Sequence, residues 1–133
     1  MEALNYRVEL EQFAYSHFIK SFKKRYKSHW AKTELDIINV CERIDMMLQY
    51  SRADLIMTNG SYKIVKLDFA VEGSRISPKS SGNRCILLVD DDKRTVKVLL
   101  IYSKNDVGSG QETAWWKQMI KSNFRDVRDT FQL

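Results

Sequence analysis

The stretch that most constrains the fold runs from Tyr62 to Asp106 and reads YKIVKLDFAVEGSRISPKSSGNRCILLVDDDKRTVKVLLIYSKND. Its apolar runs are separated by a polar loop that contains Pro78 and by the acidic turn Asp90–Arg94. Runs of this length and composition predict three strands, at about Tyr62–Val71, Arg84–Val89 and Thr95–Tyr102. The short turn predicts that the last two strands form an antiparallel hairpin. Their nearly continuous apolar character predicts a central position in the sheet.

Upstream of this stretch, the periodicity predicts first a strand and then a basic helix. Residues 5–12 alternate between apolar and polar side chains, as a half-buried strand does. From Tyr15 onward, the larger apolar residues fall on one helical face: Tyr15, Phe18, Ile19, Phe22, Tyr26 and Trp30. This aromatic stripe is either part of the core or a platform on which bases stack.

A second helix is predicted to follow directly. Thr33 offers an N-cap, and Asp36 stands three residues further on, as the acid of a capping box does. This helix is expected to end near Ser51 and to bury Leu35, Ile38, Cys41, Ile44 and Leu48. Residues 54–60 then form a connection to which the pattern assigns no structure.

Downstream, Gly108 and Gly110 break the chain before a last helix at about Gln111–Phe124. The tail 125–133 either extends this helix or frays. We therefore predict an α+β fold in one domain over residues 1–133, with the order β-α-α-β-β-β-α. A small, mostly antiparallel four-stranded sheet would carry two N-terminal helices on one face, together with a C-terminal helix.

Composition limits the class of protein and its partners. The charged fraction of 29% and the hydrophobic fraction of 44% are typical of globular domains. No apolar run approaches the ~20 residues of a membrane span, and Arg7 and Glu9 interrupt the N-terminal segment, so we expect a cytoplasmic protein without membrane contact. The net charge is +5, and no acid occurs between Ala14 and Thr33. Such a one-signed stretch fits nucleic acid or an acidic protein partner.

The sequence offers no convincing metal site, and we expect no cofactor. Cys41 and Cys85 lie in apolar contexts and are expected to be buried free thiols. His17 and His29 are too far apart for a two-ligand helical pair. The three acids Asp90–Asp92 could hold Mg²⁺, but successive residues of a tight turn point in different directions, which favours a solvated turn.

Four ordered segments resemble the RelE/ParE superfamily of bacterial toxins, in particular its RelE-like and HigB-like members, which cut mRNA on the ribosome. These segments are Lys66-Leu67, Gly82-Asn83-Arg84, the acidic hairpin and Ile101–Asn105. The resemblance implies a RelE-like fold and the toxin of a type II toxin–antitoxin system. It also implies that the toxin cuts mRNA in the ribosomal A site and that its partner is a cognate antitoxin, expected to be a helix-turn-helix protein.

The resemblance also implies roles for individual residues. Arg84 matches the arginine that grips the scissile phosphate, Lys66 and Lys63 match the strand lysines, and Lys104 matches the basic residue that closes the last strand. Asn105 stands where this family often has arginine or histidine. Two positions after Lys66, a second basic residue is usual in the family, and this chain has aspartate there. Lys63 and Lys66 are three residues apart, so they share a strand face only across a bulge.

The chemistry of RNA cleavage without a metal fits these side-chain types. A base must activate the 2′-hydroxyl, cations must stabilise the phosphate, and an acid must protonate the leaving 5′-oxygen. We expect Lys66 to be the base, or Lys63 in another register, with Arg84 on the phosphate and Lys104 as added charge or acid. Further RNA contacts are expected from five exposed cations: Arg75, Lys79, Lys23, Lys24 and Lys27. The alternatives are a ParE-like gyrase inhibitor and a catalytically silent, antitoxin-binding module.

Overall fold

The computed structural model describes residues 5–50, 52–108 and 110–133, and its centre is a five-stranded sheet. The strands are β1 (Arg7–Leu10), β2 (Ala53–Asn59), β3 (Tyr62–Phe69), β4 (Asn83–Asp90) and β5 (Thr95–Ser103). Their order across the sheet is β1-β5-β4-β3-β2. β1 runs parallel to β5, and every other neighbouring pair is antiparallel.

Helices lie between β1 and β2, between β3 and β4, and after β5. The α-helices are α1 (Gln12–Ala14), α2 (Lys20–Tyr26), α3 (Ser28–Glu42), α4 (Ile44–Gln49), α5 (Pro78–Ser81), α6 (Glu112–Asn123) and α7 (Arg125–Phe131). A π-helical turn, Tyr15–Ile19, joins α1 to α2, and a 3₁₀ turn, Lys104–Val107, follows β5. Within the described ranges, no helix combines the length and apolar character that crossing a bilayer requires.

The three predicted strands and the hairpin are confirmed. β4 and β5 pair in antiparallel register from Asn83↔Ser103 to Asp90↔Thr95, with one irregularity after Ile86. Most of their side chains are buried, because helices cover both faces of these interior strands.

The prediction of four strands was wrong, since residues 54–60 are not a simple connection. They belong largely to β2, an edge strand that pairs only with β3 and carries an irregularity between Leu55 and Met57. Leu55 is 50% exposed and Ile56 is 36% exposed. An edge strand with a bulge and few buried side chains lacks the alternation by which strands are recognised in a sequence.

The predicted N-cap at Thr33 was also wrong. The basic helix ends at Tyr26, the positive φ of 53° at Lys27 breaks it, and α3 begins at Ser28. Thr33 is buried inside α3, where its hydroxyl donates to the carbonyl of His29 (2.8 Å) and accepts from the backbone N–H of Glu72 (2.9 Å). The hydroxyl therefore anchors the loop after β3 instead of capping a helix.

The buried face predicted for the second helix is confirmed in part. Cys41 and Ile44 are buried as predicted, but Leu35 is 59% exposed and Ile37 is buried instead. The non-helical backbone at Arg43 (φ −116°, ψ 35°) separates α3 from α4, so the predicted helix is two helices. Its predicted end at Ser51 lies outside the described residues.

Helices lie on both faces of the sheet. Phe69 of β3 contacts the rings of Phe22 and Trp30, at centroid distances of 5.9 and 6.0 Å. Tyr102 of β5 contacts Trp115 of α6, at 4.8 Å. Phe69 pairs with Asn83 of β4, which pairs with Ser103 of β5, so these side chains point to one face of the sheet. Tyr102 is adjacent to Ser103 in β5, so its side chain points to the opposite face. Thus α2 and α3 cover one face, and α6 covers the other.

Three smaller predictions have clear outcomes. The aromatic stripe belongs to the core: Phe18, Phe22 and Trp30 are buried, and Tyr15 and Tyr26 are half-buried. Cys41 and Cys85 are buried free thiols, as predicted. The C-terminal helix is confirmed as α6, and the tail forms a separate helix, α7.

Candidate functional site

One row of side chains crosses the three central strands and defines the candidate site. Asp68 of β3 pairs with Arg84 of β4, and Arg84 pairs with Tyr102 of β5. Residues directly opposite each other in antiparallel strands project from the same face, so these three side chains lie side by side. Glu112, in the first turn of α6, reaches the same row from above the sheet.

Arg84 lies between two carboxylates. Its Nε is 2.8 Å from Oε2 of Glu112 and 3.6 Å from Oδ1 of Asp68. The hydroxyl of Tyr102 donates to the same Oε2 of Glu112 at 2.7 Å. The side chains of Arg84, Asp68 and Glu112 are only 13%, 17% and 19% exposed, so the cluster is largely screened from water.

The contacts of Arg84 are short but incomplete. The Nε–Oε2 approach is that of an ion pair, yet neither Nε nor Nη1 has an acceptor in hydrogen-bonding geometry among the described residues. Oδ1 of Asp68 is likewise buried without a donor in such geometry. The guanidinium fork, which can bind an oxyanion through two parallel hydrogen bonds, is therefore not used as a fork here.

Tyr102 is a fixed donor in this cluster. Burial, then the hydrogen bond to Glu112, raises the pKa of Tyr102 well above its usual value. The phenol consequently keeps its proton at neutral pH and donates to whichever anion lies beside Arg84.

Lys66 lies on the same face as Arg84. It pairs with Ile86, two residues along β4 from Arg84, so the two cations are diagonal neighbours. Such neighbours lie roughly 7–8 Å apart at Cβ, which long side chains can bridge. The half-buried side chain of Lys66 makes no ion pair with the described residues.

Lys63 is not brought together with Arg84. The register of β3 is regular against β4, so Lys63 projects from the opposite face, near the β4–β5 turn. It pairs with Val89, five residues from Arg84 along β4, which is roughly 17 Å. Its ammonium instead binds Asp91 at 2.7 Å. Burial raises the pKa of Asp91, but hydrogen bonds from Lys63 and Tyr6 outweigh it and hold that pKa below its usual value.

Lys104 and Asn105 lie at the Arg84 end of the sheet, in the 3₁₀ turn after β5. Lys104 follows Tyr102 by two residues. Its backbone N–H donates to the carbonyl of Gly82 at 2.7 Å, which holds the turn beside the residue that precedes β4. Both side chains are exposed. The site therefore has exposed polar groups at its rim and Arg84 in its interior.

The expected RNA-contacting cations lie on two segments. Arg75 and Lys79 are exposed in the loop and short helix between β3 and β4, and Arg75 has a positive φ of 62°. Lys23 lies on α2, where its ammonium donates to the hydroxyl of Tyr15 (3.1 Å). Lys24 and Lys27 are exposed at the end of the same helix. Among the described residues, no hydrogen bond or ion pair joins these cations to Arg84.

A cleft of about 320 Å³ adjoins the row. It lies between the N-terminal helices and α6, and its lining includes His17, Arg25, Asp106 and Trp115. Trp115 also contacts Tyr102, so one aromatic ring separates the cleft from the Arg84 cluster. Within the described residues, no group of three or more His, Cys, Asp or Glu side chains could hold a metal ion.

Comparison with solved structures reveals the architecture to which this site belongs. A chain from the crystal structure of the archaeal RelE–RelB complex of Pyrococcus horikoshii OT3 matches with a TM-score of 0.54. The match covers 80% of this chain and 100% of the archaeal one, at 14% sequence identity. The fold of this chain is RelE-like. No protein-family model and no curated protein sequence matches it.

The sequence indicated Arg84, Lys66 and Lys104 as site residues, but it did not indicate Glu112. Glu112 belongs to a helix beyond a glycine-rich break, and nothing in its local pattern distinguishes it from a solvated first-turn acid. Tyr102 was predicted only as the last residue of the third strand, without a role in the site. A correct strand register would have identified it, since it lies directly opposite Arg84.

Proposed function

We propose that this protein is the toxin of a type II toxin–antitoxin pair and that it cuts ribosome-bound mRNA. The observation that carries the proposal is a pair of cations on the central strands of a RelE-like fold: Arg84 with Lys66 as its diagonal neighbour. The archaeal neighbour is a RelE–RelB complex, which supports a cognate antitoxin as partner. The basic helix α2 and the exposed Arg75 and Lys79 would contact RNA outside the site.

The reaction we propose needs no metal. The amine of Lys66, the proposed base, accepts the proton of the 2′-hydroxyl, whose oxygen then attacks the adjacent phosphorus. Arg84 and the Tyr102 hydroxyl stabilise the charge on the non-bridging phosphate oxygens. The bond from phosphorus to the 5′-oxygen breaks, and Lys104 protonates that oxygen. The products are a 2′,3′-cyclic phosphate and a 5′-hydroxyl.

Dependence on the ribosome follows from how few groups this centre has. Lys63 lies on the other face of the sheet, so one lysine remains beside Arg84 instead of two. Asn105 offers a polar contact in place of a second acid or base. A large RNA surface can position the reacting phosphate more firmly than these groups do alone, which lowers the entropic part of the barrier.

A ParE-like gyrase inhibitor is the second candidate function. It is favoured by the two carboxylates beside Arg84, which reduce the positive charge that the site offers to RNA. Such an inhibitor acts through protein contact and needs no nucleolytic centre.

Inducible expression in bacteria tests these alternatives. Wild type is compared with Arg84→Ala and with Arg125→Ala, a matched control that removes an exposed arginine from α7. We expect growth arrest with loss of protein synthesis for wild type and the control, and normal growth for Arg84→Ala. Arrest with induction of the SOS response would instead support gyrase inhibition, and absence of arrest would support a silent binding module.

A further inference from the structure

The carboxylate of Glu112 lies against both donors of the candidate site, Arg84 and Tyr102. Its Oε2 receives the hydroxyl of Tyr102 at 2.7 Å and lies 2.8 Å from Nε of Arg84. One negatively charged oxygen between a guanidinium and a phenol is the arrangement that a phosphate oxygen would adopt. Glu112 is therefore an internal anion in an anion-binding position.

The fit of this internal anion is imperfect. Nη1 of Arg84 is buried without an acceptor, and Nε meets Oε2 outside hydrogen-bonding geometry. A buried donor without a partner is costly, and a phosphate has enough oxygens to satisfy both. An incoming phosphate could thus make contacts with Arg84 that Glu112 does not make.

Glu112 is also placed where it can leave. It lies in the first turn of α6, and its side chain is 19% exposed, so its carboxylate has a path to water. The chain before α6 contains Gly108, at a φ of 76°, and Gly110, and a Cβ at either glycine would meet no atom within 4 Å. The space beside both glycines is therefore open on the side where a Cβ would project.

We propose that Glu112 holds the Arg84 site closed, and that an RNA phosphodiester must displace its carboxylate from Arg84 and Tyr102 before the site can act. The identity of the displacing anion rests on the proposed function. Because part of the binding free energy is used to open the site, free RNA binds weakly. A ribosome-bound message makes many further contacts, which supply the free energy needed for displacement.

Glu112→Gln tests the displacement directly. Glutamine keeps the length of the side chain and an oxygen that accepts from Tyr102, but it removes the charge that competes for Arg84. The control is Glu42→Gln, which changes net charge equally in α3, next to Tyr6 and far along the sheet from Arg84. The probe is a labelled single-stranded RNA of about ten nucleotides, and binding is followed by fluorescence anisotropy at low salt.

We expect Glu112→Gln to bind the RNA about tenfold more tightly than wild type, as an equilibrium that favours the closed site by a factor of about ten predicts. Glu42→Gln should change the affinity much less. Adding Arg84→Ala to Glu112→Gln should abolish the gain. Glu112→Asp keeps the charge in the first turn of α6, but its shorter side chain cannot reach both partners, so the gain in RNA affinity should be smaller. This variant also guards against a folding defect in the glutamine variant.

Equal RNA affinity for Glu112→Gln and Glu42→Gln, with both folded, would overturn the proposal. This result is separable from the proposed function. If Arg84-dependent mRNA cleavage occurs while Glu112→Gln shows no gain, only the closure by Glu112 fails. If Glu112→Gln gains affinity through Arg84 but no cleavage is found in cells, the closed anion site stands and the endonuclease assignment fails.

Discussion

The contact between Arg84 and Glu112 should be measurable as a coupling free energy in protein stability. Exposed ion pairs contribute about 0.2–1 kcal/mol, whereas removing one partner of a fully buried pair costs about 3–5 kcal/mol. Side chains that are 13% and 19% exposed lie between these limits, and the contact between Nε and Oε2 lacks hydrogen-bonding geometry, which lowers its contribution. We therefore expect a coupling free energy of about 1.5 kcal/mol in a double-mutant cycle.

The single variants should differ in how much they lower the free energy of unfolding. Arg84→Ala removes the cation that lies between Asp68 and Glu112, so two carboxylates face each other and we expect a loss of about 3 kcal/mol. Glu112→Gln should lose about 1 kcal/mol, because Asp68 remains 3.6 Å from Nε and the amide oxygen still accepts from Tyr102. The double variant should be destabilised by less than the sum of the two losses.

Urea unfolding followed by tryptophan fluorescence provides the assay, since Trp30 and Trp116 are buried and report on the core. With a denaturant slope of about 2 kcal/mol/M, Arg84→Ala should lower the midpoint by about 1.5 M and Glu112→Gln by about 0.5 M. Losses that add to within about 0.3 kcal/mol would refute the reasoning, because independent sites behave in that way.

Three further predictions concern other parts of the molecule. Lys66→Ala should abolish growth arrest on induction while Lys63→Ala leaves it intact, since Lys63 projects from the opposite face; the reverse pattern would mean that the other face is the active one. Thr33→Val should lose about 1–2 kcal/mol in urea unfolding and Thr33→Ser much less, because serine keeps the hydroxyl that the backbone of Glu72 donates to. Burial, and then the hydrogen bond from the Tyr6 hydroxyl to Asp91, raise the pKa of Tyr6 from 10.0 to about 12. The stabilisation that the protonated hydroxyl provides is therefore complete below pH 10 and declines as the pH rises through 12. The stability difference between wild type and Tyr6→Phe should therefore shrink over that interval, and a constant difference would contradict the assignment.

Much of the sheet could be predicted because its interior strands have a strong local signal. β4 and β5 are apolar runs on either side of a short acidic turn, and that pattern alone predicts an antiparallel hairpin. The strand β2 could not be predicted in the same way. Its outer residues Leu55 and Ile56 face solvent at the sheet edge, and an irregular register next to Met57 removes any alternation.

For a related reason, only some residues of the candidate site could be predicted from the sequence. Arg84 was indicated by the resemblance to the RelE/ParE superfamily, but its neighbours depend on strand register and on the docking of a distant helix. Lys63 and Lys66 are alike in sequence, and only the regular pairing of β3 with β4 separates them by face. Glu112 enters the site through tertiary packing of α6, for which the sequence carries no local pattern.

Mapping of mRNA ends tests most directly the proposal that the Arg84 site cuts mRNA by attack of the 2′-hydroxyl. RNA is collected shortly after induction of wild type, Arg84→Ala and the Arg125→Ala control, and the chemistry of both new ends is determined. We predict new ends inside reading frames that carry 2′,3′-cyclic phosphates upstream and 5′-hydroxyls downstream, for wild type and the control alone. Growth arrest without such ends, or the same ends with Arg84→Ala, would contradict the account.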